Sequence, residues 1–219
     1  MIYKIYSSFF LLILVTIALC AINPAFAVNQ EKAKPKTAPL ANRFMIRQIL
    51  QEVNENFFRS RSMQLDIVKK QMRITPLLAQ WVYKEWYPSD PSLSTKKLIQ
   101  SWNTHSNGDR IPLTFFVVKN AIPIGTVSLK QQLDPAFADY PKHSIWMGNL
   151  LVRLEERSQG IGQELLNFAL TIAKQLNYKE MYFYTSTPTN VKWYLKRGAR
   201  IIEERPFRNH RITIMSIVL

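Results

Sequence analysis

The sequence predicts an α/β or α+β domain behind a short leader. Three observations predict it. Strand-like and helix-like stretches alternate from Met63 to the C-terminus, and no stretch repeats. One long helical pattern, Gly160 to Asn177, lies between two apolar strand patterns, as a parallel crossover requires. The 219 residues are 47% apolar and 12% aromatic with only 6 glycines, enough for one sizeable core and too apolar for a disordered chain.

The chain begins MIYKIYSSFFLLILVTIALCAINPAFA. Lys4 gives a short positive region, Phe9 to Ile22 is uncharged and apolar, and Ala25-Phe26-Ala27 is a small-x-small cleavage pattern. Residues 1–27 therefore read as a signal peptide, and the rest as exported across a bacterial inner membrane to the periplasm or medium. A lipoprotein signal at Cys20 is disfavoured by the bulk of Leu19 before it. The alternative is an uncleaved anchor. Ile5 to Val28 carries no charge, and Lys32, Lys34, Lys36, Arg43 and Arg47 after it would hold the domain in the cytosol.

Residues 28–62 form a second region. Glu31 to Ala41 is rich in Lys, Pro and Ala and reads as a linker. Ile46, Ile49, Leu50, Val53 and Phe57 then recur at helical spacing, which gives an amphipathic helix lying on the core or on a membrane surface.

Residues 63–219 make the domain itself. Met63 to Gln71 is the first strand. Thr75-Pro76 has the form of a helix start, and a helix through Trp81 and Trp86 should end before Pro88. Ser94 should cap a second short helix. LTFFVVKN and IPIGTVSLKQQ, joined by Asn120-Ala121, form a hairpin. SIWMGNLLVR is a strand. Ile161, Leu165, Phe168, Ile172 and Leu176 share one face of the long helix that follows. EMYFYTST is a strand, TNVKWYLKRG a short helix stopped by Gly198, and ARIIEERPF with RITIMSIVL a final strand pair.

The formal net charge is +14. Nucleic acid, anionic lipid or an acidic small ligand would each suit it. The basic residues are scattered and no nucleic-acid recognition motif accompanies them, so nucleic acid is not the expected partner. Cys20 is the single cysteine, which excludes an intramolecular disulfide, a thiolate metal site or a cysteine nucleophile further on. His105, His143 and His210 show no ligand spacing, and no metal is expected.

The chemistry concentrates in LLVRLEERSQGIGQELL, Leu150 to Leu166. Arg157, Gly160 and Gly162 give R-x-x-G-x-G between a strand and a helix. The loop lacks the lysine of a nucleotide P-loop and the third glycine of a dinucleotide fingerprint. What remains is a cradle of backbone N–H groups at a helix N-terminus, suited to phosphate.

In this segment the chain resembles the GCN5-related N-acetyltransferase (GNAT) family. Leu150-Leu151-Val152 precede Arg157-x-x-Gly160-x-Gly162 at the family's spacing, and Asn190-x-x-Trp193-Tyr194-x-x-x-Gly198 matches a second family segment. The resemblance runs from Met63 to the end. It implies a mixed, mostly antiparallel central sheet of 6–7 strands, with a splayed fourth and fifth pair and helices on both faces. It implies acetyl-CoA as co-substrate and a small-molecule or peptide amine as acceptor. Carried over by position, a backbone N–H near Leu151 would meet the acetyl oxygen. Val152 would pair with the pantetheine. Arg157, Ser158, Gln159, Gly160, Ile161 and Gly162 would hold the pyrophosphate, Asn190 the pantetheine arm, and Tyr194 would protonate the leaving thiolate. Leu154, Ser158 and Ala199 depart from the family's usual Pro, Gly and aromatic without removing a catalytic group.

The general base is less defined. Asp134 and Glu85 are the candidates, while Glu155 and Glu156 read as solvated loop charges. The acceptor site should lie between the helices after the first strand and the loop joining the third and fourth strands. Glu85, Asp90, Asp134 and Asp139 fall there, no Lys or Arg occurs between Gln131 and Pro141, and Trp81, Trp86, Tyr87, Tyr140 and Trp146 could wall a pocket. A cationic amine acceptor suits that acidic rim. Two rivals stay open: an exported, catalytically silent protein of this fold binding CoA or another anion, and a nucleic-acid binder. A monomer or a homodimer would fit equally.

Overall fold

A computed structural model describes residues 39–68, 73–86, 94–105, 108–131 and 135–219. The expected leader, together with Tyr87, Asp90 and Asp134, lies outside the described residues.

The first helix, α1 (Pro39–Val53), begins inside the stretch read as linker. Ile46 and Leu50 of its apolar face are buried in the core, so the helix packs on the domain. The helix widens into a π turn, Asn54–Phe58, and tightens into a 3-10 turn, Arg59–Arg61. Ser62, at φ 55°, then reverses the chain. The π turn presents Asn54 to the first strand, β1 (Met63–Ile67). The Asn54 amide donates to Leu65 O at 2.8 Å, and Leu65 N–H donates back to Asn54 Oδ1 at 2.7 Å.

Helix α2 (Thr75–Trp86) ends before Pro88, as the sequence requires. Helix α3 (Thr95–Asn103) is capped by Ser94, whose hydroxyl accepts from Lys97 N–H at 3.2 Å. Strands β2 (Leu113–Lys119) and β3 (Ile122–Gln131) form the hairpin, with Asn120 and Ala121 both at positive φ, the handedness that suits a two-residue turn. Strand β4 (Ile145–Val152) leads through the cradle loop to α4 (Ile161–Gln175), then β5 (Glu180–Thr185), α5 (Pro188–Leu195), β6 (Arg200–Phe207) and β7 (His210–Val218).

The seven strands form one sheet in the order β1-β2-β3-β4-β5-β7-β6. Only β4 and β5 run parallel, because α4 crosses between them; every other pair is antiparallel. Helices α1 and α4 cover one face, where Phe115 meets Phe168 edge-on at 4.7 Å and Leu129, Met147 and Leu165 complete the layer. Emptying a site such as Phe168 typically costs about 3–5 kcal/mol. The other face carries two separate clusters. Leu78, Val82 and Trp102 from α2 and α3 pack on Phe116, while Phe137 packs with Trp146, Ile212 and Ile214.

The parallel pair is short. Only Ile145 with Met181 and Trp146 with Tyr182 are in register; beyond them β5 stays with β7. Strand β4 also bulges. Ser128 opposes Gly148 and Thr126 opposes Leu151, so two residues, Asn149 and Leu150, face one on β3. Asn149 takes φ 54° there. The bulge turns β4 and lets it part from β5, the splay that the resemblance implied.

Candidate functional site

The cradle loop follows β4 directly. Arg157 folds back over it: its Nε–H donates to Val152 O at 2.9 Å and its Nη2 to Glu85 Oε1 at 3.1 Å. Glu156 is held by Lys119, at 3.1 Å, and by the Gln159 amide. It is thus an anchored group and not the solvated charge the sequence suggested, because Lys119 reaches it from another strand. Glu155 is exposed, as expected.

Ser158 lies at φ 64° and Gly160 at φ 83°. The family's usual glycine at the first position has a physical reason in that left-handed backbone, which costs a side chain about 1–2 kcal/mol. Gly160 is the N-cap of α4, and no side chain caps the helix. The first-turn N–H groups therefore stay open, with the positive end of the helix dipole behind them. A Cβ on Gly160 would stand 3.5 Å from Phe57, and one on Gly162 would stand 3.6 Å from Val152. The N-terminal π turn and β4 thus close in on the cradle from two sides.

Helix α5 places Asn190 and Tyr194 one turn apart. Asn190 is exposed and reaches only Thr185 Oγ1, at 3.4 Å. The Tyr194 ring packs on Phe183 at 4.4 Å and on Trp193 at 5.0 Å. No described residue bonds its hydroxyl, and burial pushes its pKa well above the ordinary phenol range, so the group stays protonated. Among the described residues the one fully buried polar side-chain atom without a partner is Asp109 Oδ1. The Tyr194 hydroxyl thus still touches solvent. A protonated, unpaired hydroxyl of that kind is a donor in waiting.

Two expected acids are already paired. Glu85 holds Arg157, and Asp139 is held by Arg205 from β6 at 2.5 Å, with Glu203 sharing the same guanidinium. Asp139 accordingly lies below the usual carboxylate range, chiefly through the Arg205 hydrogen bond. The stretch 131–141 lacks a cation of its own, but the sheet brings one from elsewhere. Tyr140 and Trp146 join the cluster around Phe137, and Trp146 N–H donates to Ser144. Trp146 is buried in that core and Tyr140 is half-buried against it; Trp86 is partly exposed and Trp81 packs on the α2–α3 cluster. No group of three or more possible metal ligands occurs among the described residues.

Sequence reasoning missed Asn149, the residue at the bulge, whose amide donates to Ser128 Oγ at 3.0 Å. A signal was present: Ser128, like Thr114, is a hydroxyl inside an otherwise apolar strand. Lys119, which anchors the loop through Glu156, gave no signal.

Comparison with known proteins bears on this arrangement. A family model described as the acetyltransferase (GNAT) family matches residues 75–199. No match exists among curated proteins. Among solved structures, a GNAT-family acetyltransferase from Streptococcus pneumoniae is 15% identical with a TM-score of 0.55, over 72% of this chain and 99% of the other. The structure of yncA from Salmonella typhimurium with its cofactor acetyl-CoA is 12% identical with a TM-score of 0.55, over 72% and 94%. A spermidine N-acetyltransferase SpeG chimera from Vibrio cholerae and hSSAT is 20% identical with a TM-score of 0.52, over 72% and 95%. At these identities the likeness is one of fold.

Proposed function

The chain belongs to the acetyltransferase (GNAT) family, and on that premise we propose that it transfers an acetyl group from acetyl-CoA to a primary amine of a cationic small molecule or peptide, by direct attack. The observation that carries the reading is the splay. Strands β4 and β5 part after two paired positions, beside a helix N-terminus that no side chain caps. That opening offers unpaired strand backbone for a pantetheine arm and open N–H groups for a pyrophosphate, so the residues present fit the group.

Acetyl-CoA supplies the activated acyl carbon. Arg157 and the N–H groups from Ser158 to Gly162 hold the phosphates. The edge of β4 at Leu151 and Val152, where Arg157 holds Val152 O, pairs with the extended arm, and Asn190 steadies it. A backbone N–H near Leu151 stabilises the carbonyl oxygen as it becomes negative. The C–N bond forms, the C–S bond breaks, and Tyr194 gives its proton to the departing sulfur. The amine's proton leaves through water to Glu85 or Asp134. Glu85 can serve only when Arg157 releases it, which a bound pyrophosphate would bring about by competing for the guanidinium. The cation preference rests on Glu85, because Arg205 from β6 reaches Ala136 O and Asp139 and so supplies the 135–139 stretch with a cation of its own.

The protein is further proposed to be exported through residues 1–27. That supports the second reading, a silent CoA-binding protein, since acetyl-CoA is a cytosolic compound. An uncleaved anchor would keep the domain with its co-substrate.

Calorimetry of the purified chain with CoA tests the first reading, with micromolar affinity expected. Gly160→Asp, which puts a carboxylate into the left-handed cradle, should abolish it. No heat with millimolar CoA refutes the reading. Acetyl transfer to a panel of polyamines, aminoglycosides and peptide N-termini separates enzyme from silent binder, and a periplasm-dependent reporter fused to residues 1–27 decides the topology.

A further inference from the structure

A row of buried polar side chains crosses the sheet beneath the β4 bulge. Thr114 on β2 and Ser128 on β3 are direct cross-strand partners, and both are fully buried. Their hydroxyls lie 2.8 Å apart. At one end His105, buried just past the last turn of α3, places Nδ1 2.6 Å from the Thr114 hydroxyl. At the other end the Asn149 amide donates to Ser128 at 3.0 Å. Four side chains thus connect the end of α3 to the bulge.

The direction of the bonds follows from the groups present. Asn149 donates to Ser128. The arrangement that uses every hydroxyl proton has Ser128 donating to Thr114 and Thr114 donating to His105 Nδ1, with the ring proton on Nε2. Burial, aided by the charge of Lys130, holds His105 neutral by pushing its pKa down to about 4. A neutral ring can accept at Nδ1, so the row is polarised one way from end to end. Such an imidazole is far too weak a base for an ammonium acceptor, and no group of the row needs to meet substrate.

Asn149 itself sits at φ 54°, a left-handed conformation that asparagine tolerates better than other side chains and that a hydrogen bond from its amide would hold in place. It is the first of the two bulge residues, Asn149 and Leu150, that face one residue of β3 before the ladder resumes with Leu151 opposite Thr126. We propose that Thr114, Ser128 and His105 are positioning residues for the transfer: their hydrogen-bonded row tethers Asn149 in its left-handed conformation and so aims the N–H groups after it at the acetyl oxygen. The catalytic half of this inference rests on the acetyl-transfer reading; the tether does not. Because His105 follows α3, the row also ties the acceptor-side helices to the acyl-binding strand.

Thr114→Val removes the hydroxyl and keeps the shape, whereas Thr114→Ser keeps the hydroxyl. Hydrogen exchange of the 147–152 segment should rise about tenfold in Thr114→Val, with that of 161–175 unchanged. The kcat should fall about 10- to 100-fold, with KM for acetyl-CoA within about twofold, as expected of a misaimed oxyanion donor. Thr114→Ser should restore both. Ser128→Ala breaks the row from the other side and should repeat the signature, which guards against a Thr114→Val that does not fold. Unchanged exchange over 147–152, a uniform rise in every segment, or a Thr114→Ser that behaves like Thr114→Val would each overturn the tether. A local rise in exchange with kcat unaltered would overturn the catalytic half. A wild-type chain that transfers no acetyl group would count against the functional reading alone, since the exchange still judges the tether.

Discussion

Replacing Tyr194 with phenylalanine separates chemistry from packing. The residue is 9% exposed, and its ring is wedged between Phe183 and Trp193. Phenylalanine keeps those contacts. The lost hydroxyl takes no hydrogen bond among the described residues with it, so the folding free energy should move by less than about 0.5 kcal/mol. Loss of a general acid typically slows a reaction about 10²–10⁴-fold, or about 2.7–5.4 kcal/mol in the barrier. The change should fall on kcat, with KM for acetyl-CoA unaltered, because the sulfur needs the proton only as the C–S bond breaks. Release of the CoA thiol measures the rate and denaturant unfolding measures the stability. The pH dependence gives an independent reading. Burial raises the Tyr194 phenol in the folded state, so its contribution is fully present below the unfolded value of about 10 and is lost above it, as the unfolded chain ionises first. Above pH 10 the wild type should lose stability that Tyr194→Phe retains. Full kcat in the variant with a good acceptor would refute the acid role and leave Tyr194 as a packing residue.

Glu85→Gln should tighten CoA binding by up to about fivefold in calorimetry, because it removes the carboxylate competing for Arg157 in a half-exposed pair worth about 0–1 kcal/mol; weaker binding would show that Glu85 positions Arg157 instead. The depressed pKa of His105 makes stability fall as pH drops from about 6.5, where the unfolded ring takes a proton, to about 4, where the buried one does; the loss is about 3 kcal/mol. Urea unfolding across that range should show the slope, and His105→Gln should flatten it.

The order of elements was legible because each carries its own local signal. The 3.6-residue repeat from Ile161 to Leu176 gives α4, Ser94 gives the start of α3, and Gly198 the stop after α5. The pairing of Arg157 with Gly160 and Gly162, and of Asn190 with Tyr194, was legible for the same reason: each pair lies within a few residues. What could not be read depends on groups brought together by the sheet. Asp139 looks unpaired until β6 delivers Arg205, and Glu85 until the cradle loop delivers Arg157. The left-handed turn at Asn149 has only a weak local cause, since it answers to a hydroxyl on the neighbouring strand. The π turn at Asn54 was likewise invisible, because its stabilising partner is the backbone of Leu65.

That last contact has a consequence for the protein in a crowded compartment. Strand β1 ends the sheet, and Leu65 is its middle residue. A bare edge offers its N–H and C=O to any passing strand, and chains with such edges add to one another. Here a side-chain amide of the same molecule fills the central slot, satisfying donor and acceptor together. That edge is closed from within at its centre, so at Leu65 β1 has neither N–H nor C=O to offer a further chain. An Asn54→Ala protein would keep its fold and lose its stopper, and its expected fault is growth into soluble oligomers as concentration rises.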